Sequence, residues 1–238
     1  MPVIIFCGGK GTRLKEETDF KPKPMVNVGG MPILWHIMKI YSTLGFNNFI
    51  LCLGYKSEYI KDFFLRQKLR ENDISLSLKS GQIDYLTNHS EDWNITFAET
   101  GEDALTGERL HKVAKYITHD RFMVTYGDGV GEIDLHQLLD FHEKQRTIGT
   151  ITGVHPYSKW GLVDTDEKNL IQLFRQKPKL NEYVNGGFMV FEKAALGLLR
   201  ENTIIEDMFD KLVAQKQLSL YRHEGFWHAM DTYQDVET

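Results

Sequence analysis

The chain of 238 residues has only two cysteines, six prolines and no long apolar run. Two cysteines cannot form the disulfide framework of a small secreted protein, and Cys7 and Cys52 both lie in strand-like apolar runs, so we expect buried free thiols. No stretch approaches the roughly 20 apolar residues that a transmembrane helix needs. Met1-Pro2 leads directly into an apolar run, without the basic start or cleavage site of a secretory signal. We therefore expect a cytoplasmic protein without a membrane span.

The chain also has fewer basic than acidic residues. Lysine and arginine number 28 against 33 acidic residues, which gives a formal net charge of −5. Such a chain has no general attraction for nucleic acid or for an anionic membrane surface, although a local basic pocket can still bind a phosphorylated small molecule. The charge balance therefore predicts neither nucleic acid nor membrane as a partner.

What the chain does contain is an alternation of short apolar runs with amphipathic segments. Residues 3–7 and 49–53 are typical of buried parallel strands, and apolar residues recur at helical spacing over 33–44 between them. This order predicts right-handed β-α-β units. Further strands are predicted at 95–98, 122–125, 150–152, 170–174, 188–191 and 218–221, and further helices behind the N-caps Ser57 and Thr106 and over 135–141. The predicted fold is α/β: a Rossmann-like, mixed and mainly parallel sheet with helices on both faces.

Residues 72–95 interrupt that pattern. Two short alternating segments, 75–78 and 83–86, predict a small inserted β-hairpin. The sequence has no internal repeat, low-complexity segment or linker. We therefore predict a single domain over 1–238 with the hairpin insertion at about 72–95.

Basic chemistry begins at the end of the first strand. The glycines of Gly8-Gly-Lys-Gly11 let the backbone approach an anion closely, and Arg13 offers a planar fork for phosphate oxygens. Lys21 and Lys23 follow on an extended segment that two prolines stiffen. A tight turn would also explain the glycines. A dinucleotide-binding motif does not fit, because Leu14 stands where that motif needs its last glycine, and the spacing of a Walker loop is not met either. The pattern favours a polyphosphate-binding loop of neither type.

The same residues carry a family resemblance. Gly8-Gly-Lys-Gly-Thr-Arg-Leu14 followed by Lys21-Pro-Lys-Pro-Met25 resembles the signature of sugar nucleotidyltransferases, which join a sugar 1-phosphate to a nucleoside triphosphate and release pyrophosphate. Within that superfamily the chain looks most like the glucose-1-phosphate cytidylyltransferases. That match is carried by Pro32-Ile-Leu-Trp-His-Ile-Met38, Thr100-Gly101, Leu105-Thr-Gly-Glu-Arg-Leu110, Thr125-Tyr-Gly-Asp-Gly-Val130, Asn185-Gly-Gly-Phe188, Gly225-Phe-Trp227 and Met230-Asp-Thr232. The implied fold is the nucleotide-diphospho-sugar transferase type.

The resemblance implies roles for particular residues. Arg13 and Lys23 would be catalytic, holding the nucleotide phosphates and stabilising the transition state. The nucleotide would be bound by Gly8, Gly9, Gly11, Thr12, Thr100 and Gly101, the last two at the pyrimidine edge. The acceptor would be bound by Trp160, Gly161, Gln176, Lys177, Asn185 and Gly186, with Lys177 on its phosphate. For Trp160, a packed loop aromatic is an equal alternative.

The resemblance also implies Mg²⁺ as the cofactor, bound by Asp128 and Asp231. Magnesium prefers one or two carboxylates together with phosphate oxygens. Taken alone, the Gly-Asp-Gly around Asp128 would be common turn chemistry. A divalent cation is nevertheless expected, because three basic side chains are too few to neutralise a triphosphate and a phosphate monoester.

The predicted function is that of a CTP-dependent cytidylyltransferase of nucleotide-sugar biosynthesis for capsule or lipopolysaccharide, and the resemblance implies a homo-oligomer. The expected partners are CTP and a phosphorylated small-molecule acceptor, with glucose 1-phosphate first. Relatives usually carry glutamate where this chain has Gln176, which can donate as well as accept and has no charge. Another sugar 1-phosphate, a non-sugar phosphate such as the phosphoglutamine of capsular phosphoramidate synthesis, and UTP or dTTP as the nucleotide all stay open.

Two hypotheses come from other classes of protein. A sensor could bind nucleotides without turnover, although basic and acidic residues suited to catalysis argue against it. A glycosyltransferase could use a nucleotide sugar, but Asp128-Gly-Val130 lacks the second acid of an Asp-x-Asp metal motif.

Overall fold

Short strands and helices alternate along the chain in the computed structural model, which describes residues 1–11, 18–232 and 235. The strands are β1 (Pro2–Phe6), β2 (Asn27–Val28), β3 (Met31–Pro32), β4 (Asn48–Leu53), β5 (Ile74–Leu76), β6 (Ile83–Tyr85), β7 (Asn94–Glu99), β8 (Arg121–Tyr126), β9 (Gly129–Gly131), β10 (Gly149–Val154), β11 (Leu162–Thr165), β12 (Ile171–Arg175), β13 (Val184–Asn185), β14 (Met189–Glu192), β15 (Leu218–His223) and β16 (Trp227–Ala229). The α-helices are α1 (Ile33–Thr43), α2 (Ser57–Leu65), α3 (Gln67–Glu71), α4 (Thr106–Val113), α5 (Leu135–Gln145) and α6 (Glu206–Ala214). Short 3-10 helices lie at Lys23–Met25, Ala114–Tyr116 and Lys193–Leu198.

Eight strands form the central sheet, in the order β13-β10-β14-β8-β1-β4-β7, with β15 paired to β10. Strands β7, β4, β1 and β8 are parallel to their neighbours in that run, and β15 is parallel to β10. Strand β14 runs antiparallel between β8 and β10, and β13 is antiparallel to β10. The sheet is therefore mixed and mainly parallel, which confirms the predicted fold class.

Strand β1 shows why both faces of the sheet carry helices. Its residues are all buried, and successive side chains of a strand point to opposite faces. Val3 and Ile5 pack in one core with residues of α1, α2 and α5, whereas Ile4 and Phe6 pack in a second core with residues of α4 and α6. A continuous apolar run is what a strand covered on both faces requires.

Several local predictions turn out differently. Ser57 and Thr106 are the first residues of α2 and α4 rather than their N-caps. The Ser57 hydroxyl instead donates to Glu99 Oε1 (2.9 Å), and Thr106 Oγ1 accepts the N–H of Ile205 (2.9 Å). Both hydroxyls are thus taken up by tertiary partners.

Two predicted extended segments also differ. The predicted strand at 170–174 forms as β12, but it pairs with β11 in an exposed two-stranded ribbon outside the central sheet. The proline-stiffened segment at 21–25 contains a 3-10 turn, because the Met25 N–H donates to Pro22 O (2.8 Å). The fixed φ of proline is compatible with such a turn.

Strands β5 and β6 form an antiparallel hairpin inside residues 72–95. That the whole chain is a single domain stays a prediction. Cys7 and Cys52 are buried free thiols, as expected, and burial raises the pKa of Cys52 to about 12. Among the described residues, no helix has both the length and the apolar character needed to cross a membrane.

Candidate active site

A cleft of about 430 Å³ opens at the carboxyl ends of β1 and β8. Open α/β sheets bind their ligands at this edge, and the volume is that of a small-molecule site. The lining comprises Phe6, Cys7, Gly8, Gly9, Gly11, Lys23, Pro24, Ala104, Leu105, Thr106, Arg109, Tyr126, Gly127, Asp128, Ile204 and Asp231. The structure thus brings together the three predicted nucleotide-binding glycines, the predicted catalytic lysine and both predicted metal ligands.

Arg109 lies directly beneath the glycine loop. Its side chain is 3% exposed, and a Cβ on Gly8 would stand 1.9 Å from its Nη1 atom. The guanidinium donates to the backbone oxygens of Leu53 (3.0 Å), Gly8 (3.1 Å) and Glu102 (3.1 Å), and to Thr100 Oγ1 (2.7 Å). Burial lowers the pKa of Arg109, yet an arginine stays protonated at neutral pH. One buried cation therefore joins the ends of β1, β4 and β7 under the loop.

Thr100 faces the interior rather than the cleft. It is buried, its hydroxyl donates to Leu53 O (2.6 Å), and its carbonyl accepts from Lys112 Nζ (2.8 Å). Gly101 is exposed with a φ of +99°, and neither residue belongs to the cleft lining. Contact of Thr100 and Gly101 with a pyrimidine base stays a prediction, and the Thr100 side chain supports Arg109 instead.

Gly11 closes the described part of the loop. Its φ of +61° lies in the left-handed region, and a Cβ there would stand 2.8 Å from Thr18 Cγ2 and 3.0 Å from Lys23 Cβ. Glycine is the residue that accepts both conditions without strain. Thr12 and Arg13, predicted respectively to bind the nucleotide and to act in catalysis, lie outside the described residues.

Lys23 joins the two predicted metal ligands. Its ammonium lies 2.7 Å from Asp128 Oδ2 and 3.1 Å from Asp231 Oδ1. Asp128 follows β8 and Asp231 follows β16, and the β9–β16 pairing, with Met230 N–H donating to Asp128 O (2.8 Å), holds the two carboxylates side by side. Residues far apart in the chain therefore form one compact charge cluster.

A second lysine contacts Asp231. Lys159 Nζ lies 3.0 Å from Asp231 Oδ2, whereas Lys23 contacts the other oxygen of that carboxylate, Oδ1. Burial tends to raise the pKa of Asp231, but hydrogen bonds from Lys159 and Lys23 outweigh it, and the pKa lies below its ordinary value. The carboxylate is thus kept ionised.

The predicted acceptor residues gather at the base of the β11–β12 ribbon. Ser158 fixes the loop there, because its N–H donates to Pro178 O (2.8 Å) and its hydroxyl donates to Trp160 O (2.8 Å). A Cβ on Gly161 would lie 3.1 Å from Gln176 Oε1, so these two residues are adjacent. Trp160 is 75% exposed, which overturns the alternative that it is a packed loop aromatic.

Lys177 and Gly186 extend this part of the site in different ways. Lys177 follows Gln176 and is exposed, with a φ of +45° in the left-handed region. Gly186 is buried, and its carbonyl accepts from Trp227 Nε1 (2.8 Å). Gly186 therefore has a clear packing role, and its contact with the acceptor stays a prediction.

Asn185 is connected to the cleft through Tyr126. Asn185 Nδ2 donates to the Tyr126 hydroxyl (3.1 Å), and that hydroxyl lies 3.2 Å from Glu206 Oε1. Asn185 Oδ1 also accepts the N–H of Gly187 (3.1 Å). These contacts fix the orientation of the Asn185 amide and leave its second N–H as a donor for a ligand.

A model of the nucleotidyl transferase family matches residues 2–235 of the chain. The chain belongs to the nucleotidyl transferase family. It is 41% identical over 239 residues to the "Probable glucose-1-phosphate cytidylyltransferase" of Bacillus subtilis (strain 168) and 39% identical over 239 residues to the glucose-1-phosphate cytidylyltransferase of Salmonella typhi. Each alignment covers 99% of this chain and 93% of the relative. The predicted enzyme class, a nucleotidyltransferase, is thereby confirmed.

The fold is also that of a solved nucleotidyltransferase. UDP-glucose pyrophosphorylase, in a crystal structure of its complex with UDP-glucose, superposes with a TM-score of 0.70 at 14% identity, covering 99% of this chain and 95% of that one. At such low identity the likeness concerns the fold alone, and it confirms the predicted nucleotide-diphospho-sugar transferase type.

The cleft of this nucleotidyl transferase suits Mg²⁺ in its donor chemistry. Asp128 and Asp231 already converge on one cation, the ammonium of Lys23, beside a loop suited to phosphates. Within the described ranges, no group of three or more His, Cys, Asp and Glu side chains is placed to hold a metal. Two carboxylates suffice when phosphate oxygens of a substrate complete the shell. Metal binding by this pair is a proposal that the geometry supports.

Four side chains of this nucleotidyl transferase site were not predicted from the sequence. They are Arg109, Tyr126, Lys159 and Glu206, which the structure places in the cleft or in hydrogen bonds with residues of the site. A lysine or glutamate in a helix or loop is usually solvated, so no local signal distinguishes Lys159 or Glu206. Arg109 and Tyr126 do fall inside the motifs that carry the family resemblance, and that position was the available signal.

Proposed function

We propose that this enzyme transfers the cytidylyl group of CTP to a sugar 1-phosphate, with glucose 1-phosphate as the first acceptor to test. The observation that carries the proposal is the convergence of Lys23, Asp128 and Asp231 beside the glycine loop. The names and the identity of the Bacillus subtilis and Salmonella typhi relatives support the choice of CTP and glucose 1-phosphate.

The chemistry requires little beyond positioning and charge. An oxygen of the acceptor phosphate attacks the α-phosphorus of CTP and forms a new P–O bond, while the bond from that phosphorus to the oxygen bridging to the β-phosphorus breaks. The electron pair leaves with pyrophosphate. Because the attacking oxygen is already anionic, no side chain has to remove a proton, and catalysis depends on alignment and on positive charge around the phosphates.

The charged side chains and the glycine loop of the cleft would have separate roles in the reaction. Lys23 would stabilise negative charge on the nucleotide phosphates, together with Arg13. Asp128 and Asp231 would hold Mg²⁺, which when bound neutralises phosphate charge. The backbone of Gly8, Gly9 and Gly11 would take the nucleotide against the end of β1, where Arg109 supports it from below.

The acceptor would bind beside the cleft, at the base of the β11–β12 ribbon. Trp160 offers an exposed aromatic face for a sugar ring, Gln176 and Asn185 offer hydrogen bonds to hydroxyls, and Lys177 would hold the phosphate. Gln176 is also the observation that favours a second acceptor. An uncharged amide that donates as well as accepts suits the amide and amino-acid groups of phosphoglutamine.

A pyrophosphate-release assay tests the proposal. It combines Mg²⁺ with CTP, UTP or dTTP and with glucose 1-phosphate, other sugar 1-phosphates or phosphoglutamine. We expect turnover with CTP and glucose 1-phosphate, and a fall of about a hundredfold or more in kcat for Asp128→Asn. Asp62→Asn is the matched control, because Asp62 on α2 is an exposed carboxylate that pairs with Arg66, the residue that follows this helix.

Each other result has a definite meaning. Turnover with phosphoglutamine alone would identify phosphoglutamine as the acceptor in place of glucose 1-phosphate, and the enzyme would still be a cytidylyltransferase. Turnover only with UTP or dTTP would change the nucleotide. Tight binding of CTP with Mg²⁺ but no pyrophosphate release with any acceptor would contradict the proposed activity and support the hypothesis of a nucleotide sensor.

The proposal also covers setting and assembly. We infer a cytoplasmic enzyme of capsule or lipopolysaccharide synthesis that forms a homo-oligomer. The β11–β12 ribbon supports the assembly, since apolar side chains such as Ile171 and Phe174 are exposed on it. Light scattering after size-exclusion chromatography tests this, and a monomer at micromolar concentration would refute it.

A further inference from the structure

Asp231 lies between two lysines that come from distant parts of the chain. Lys23, beside the glycine loop, contacts Oδ1 at 3.1 Å, and Lys159, next to the predicted acceptor residue Trp160, contacts Oδ2 at 3.0 Å. Their environments differ: the Lys23 side chain is 13% exposed, whereas that of Lys159 is 55% exposed. Lys23 also contacts Asp128, so it has two carboxylate partners in the cluster against one for Lys159.

The backbone around Lys159 is fixed although its ammonium is accessible. Ser158 is 6% exposed and holds the loop by hydrogen bonds to Pro178 and Trp160. A lysine ammonium sits on a flexible stem of four carbons. Lys159 Nζ can therefore change partner without any movement of the loop that carries the predicted acceptor residues Trp160 and Gly161.

Charge decides which lysine would move. A divalent cation between Asp128 and Asp231 competes with ammonium groups for the same carboxylate oxygens. Displacing Lys23 would separate a largely buried cation from two carboxylates, whereas displacing Lys159 would release an exposed cation from one. The exchange therefore costs less at Lys159, whose ammonium lies on the loop that carries the predicted acceptor residues Trp160 and Gly161.

We propose that Lys159 exchanges partners during binding: it neutralises Asp231 in the metal-free protein and binds an oxygen of the acceptor phosphate once a divalent cation takes that carboxylate. The second half rests on the proposed function, whereas the first half concerns only the metal and this chain. Lys159 is then a substrate-binding residue in addition to Lys177. Its positive charge also weakens metal binding to the substrate-free protein.

Two variants and a matched control test the exchange. Lys159→Met removes the charge and keeps the length of the stem, and Lys159→Arg restores a cation. Lys39→Met is the control, since Lys39 also pairs with one carboxylate, Glu91 at 2.7 Å, and that pair is separate from the Lys23–Asp128–Asp231 cluster. Binding of Mn²⁺ to the nucleotide-free protein is measured from the electron paramagnetic resonance signal of the free ion, and initial rates give KM for CTP and for the acceptor.

The expected results run in opposite directions. Lys159→Met should bind Mn²⁺ more tightly by about threefold to tenfold because one competing cation is gone, while KM for the acceptor rises about tenfold or more. KM for CTP should stay within about twofold, and Lys159→Arg should recover most of the acceptor affinity. A merely structural role would weaken metal binding and acceptor binding together.

The two measurements separate the possible failures. Unchanged or weaker Mn²⁺ binding in Lys159→Met would overturn the exchange. Tighter Mn²⁺ binding with an unchanged KM for the acceptor would overturn the phosphate half. If the unaltered enzyme turned over no acceptor at all, the proposed function would fail, and Mn²⁺ binding would still decide whether Lys159 and the metal compete for Asp231.

Discussion

Arg109 occupies the space that a side chain at position 8 would need: a Cβ on Gly8 would stand 1.9 Å from Nη1 and 2.3 Å from Cζ of Arg109. The guanidinium cannot retreat easily, because it donates to Leu53, Thr100 and Glu102 as well as to Gly8 itself. The first glycine of the loop is therefore required by packing from below as well as by any ligand above.

Gly8→Ala should therefore destabilise the fold. The added methyl group has to displace a buried, hydrogen-bonded cation, and overpacking of this kind costs about 1–3 kcal/mol. The free energy of unfolding in urea measures the effect. Gly9→Ala is the matched control, since a Cβ on Gly9 would meet nothing within 4 Å and should change stability by less than about 0.5 kcal/mol. Equal losses in the two variants would show that Arg109 does not set the requirement.

Lys23 should matter for stability as well as for activity. In Lys23→Met, Asp128 and Asp231 face each other without the ammonium that now contacts both. Removing one partner of a fully buried ion pair costs about 3–5 kcal/mol, and the partial exposure of this cluster reduces the expected loss to about 2 kcal/mol. Because Mg²⁺ can replace the missing positive charge, millimolar MgCl₂ should raise the Tm of the variant more than that of the unaltered protein.

Thermal unfolding with and without Mg²⁺ measures this effect, and Lys39→Met serves as the control for loss of a lysine charge. An equal response of all three proteins to Mg²⁺ would argue against binding of Mg²⁺ at Asp128 and Asp231. Pyrophosphate release should fall in Lys23→Met whatever the metal concentration, because a metal at the carboxylates does not replace a phosphate-binding lysine.

Tyr126 should control the acceptor rather than the nucleotide. Its hydroxyl joins Asn185 to Glu206, and burial raises the pKa of the phenol well above its ordinary value, so the group stays protonated. Tyr126→Phe keeps the ring against Phe6 but removes both hydrogen bonds. We expect KM for the acceptor to rise about fivefold to tenfold, in line with the loss of about 1 kcal/mol per hydrogen bond, with KM for CTP unchanged.

Tyr183→Phe is the matched control for that change. Tyr183 also makes a hydrogen bond to a glutamate, Glu224, but both side chains lie outside the cleft lining. A rise in KM for CTP as large as that for the acceptor would place Tyr126 in nucleotide binding instead.

The parts of the fold that the sequence predicts well are those with a local signal. The apolar run of β1 and the helical spacing of α1 give strand and helix directly. The ribbon of β9 and β16 escaped prediction because each strand has three residues, and their pairing joins distant segments of the chain. The apolar residues of β12 predict a strand, but they carry no signal that it pairs outside the central sheet, where the structure exposes them.

The candidate site divides in the same way. Motifs predict which residues surround the cleft, but they do not predict that Thr100 turns inward or that Arg109 is buried beneath Gly8. Arginine is seldom fully buried, so residue type alone argued against its actual place. Lys159 became visible only through its distance to Asp231, which depends on the meeting of two loops in space.

A buried histidine outside the cleft gives the fold a predictable response to pH. His142 on α5 is 1% exposed, with Nε2 3.1 Å from Glu192 Oε1 and Nδ1 2.7 Å from Thr150 Oγ1. Since an ionised carboxylate only accepts, Nε2 carries the proton and Nδ1 accepts from the threonine hydroxyl. Burial lowers the pKa of His142, and nearby Arg121 adds to this, while Glu192 and Glu143 act in the opposite direction without reversing it.

The sign of the pH effect follows from that lowered pKa. Below about pH 6.5 the unfolded chain takes up a proton on His142 that the folded chain does not accept until a lower pH, so the unfolded state binds more protons and stability falls as the pH drops. In His142→Gln this contribution disappears, although the lost hydrogen bonds lower stability at pH 7 by about 1–3 kcal/mol. Urea unfolding at pH 7, 6 and 5 should therefore show that stability falls less steeply with decreasing pH in His142→Gln than in the unaltered protein.

His119→Gln, at an exposed histidine, is the control and should keep the pH dependence of the unaltered protein. If the slope of His142→Gln were the same as that of the unaltered protein, His142 would have to be protonated equally in the folded and unfolded states, which its burial beside Thr150 opposes.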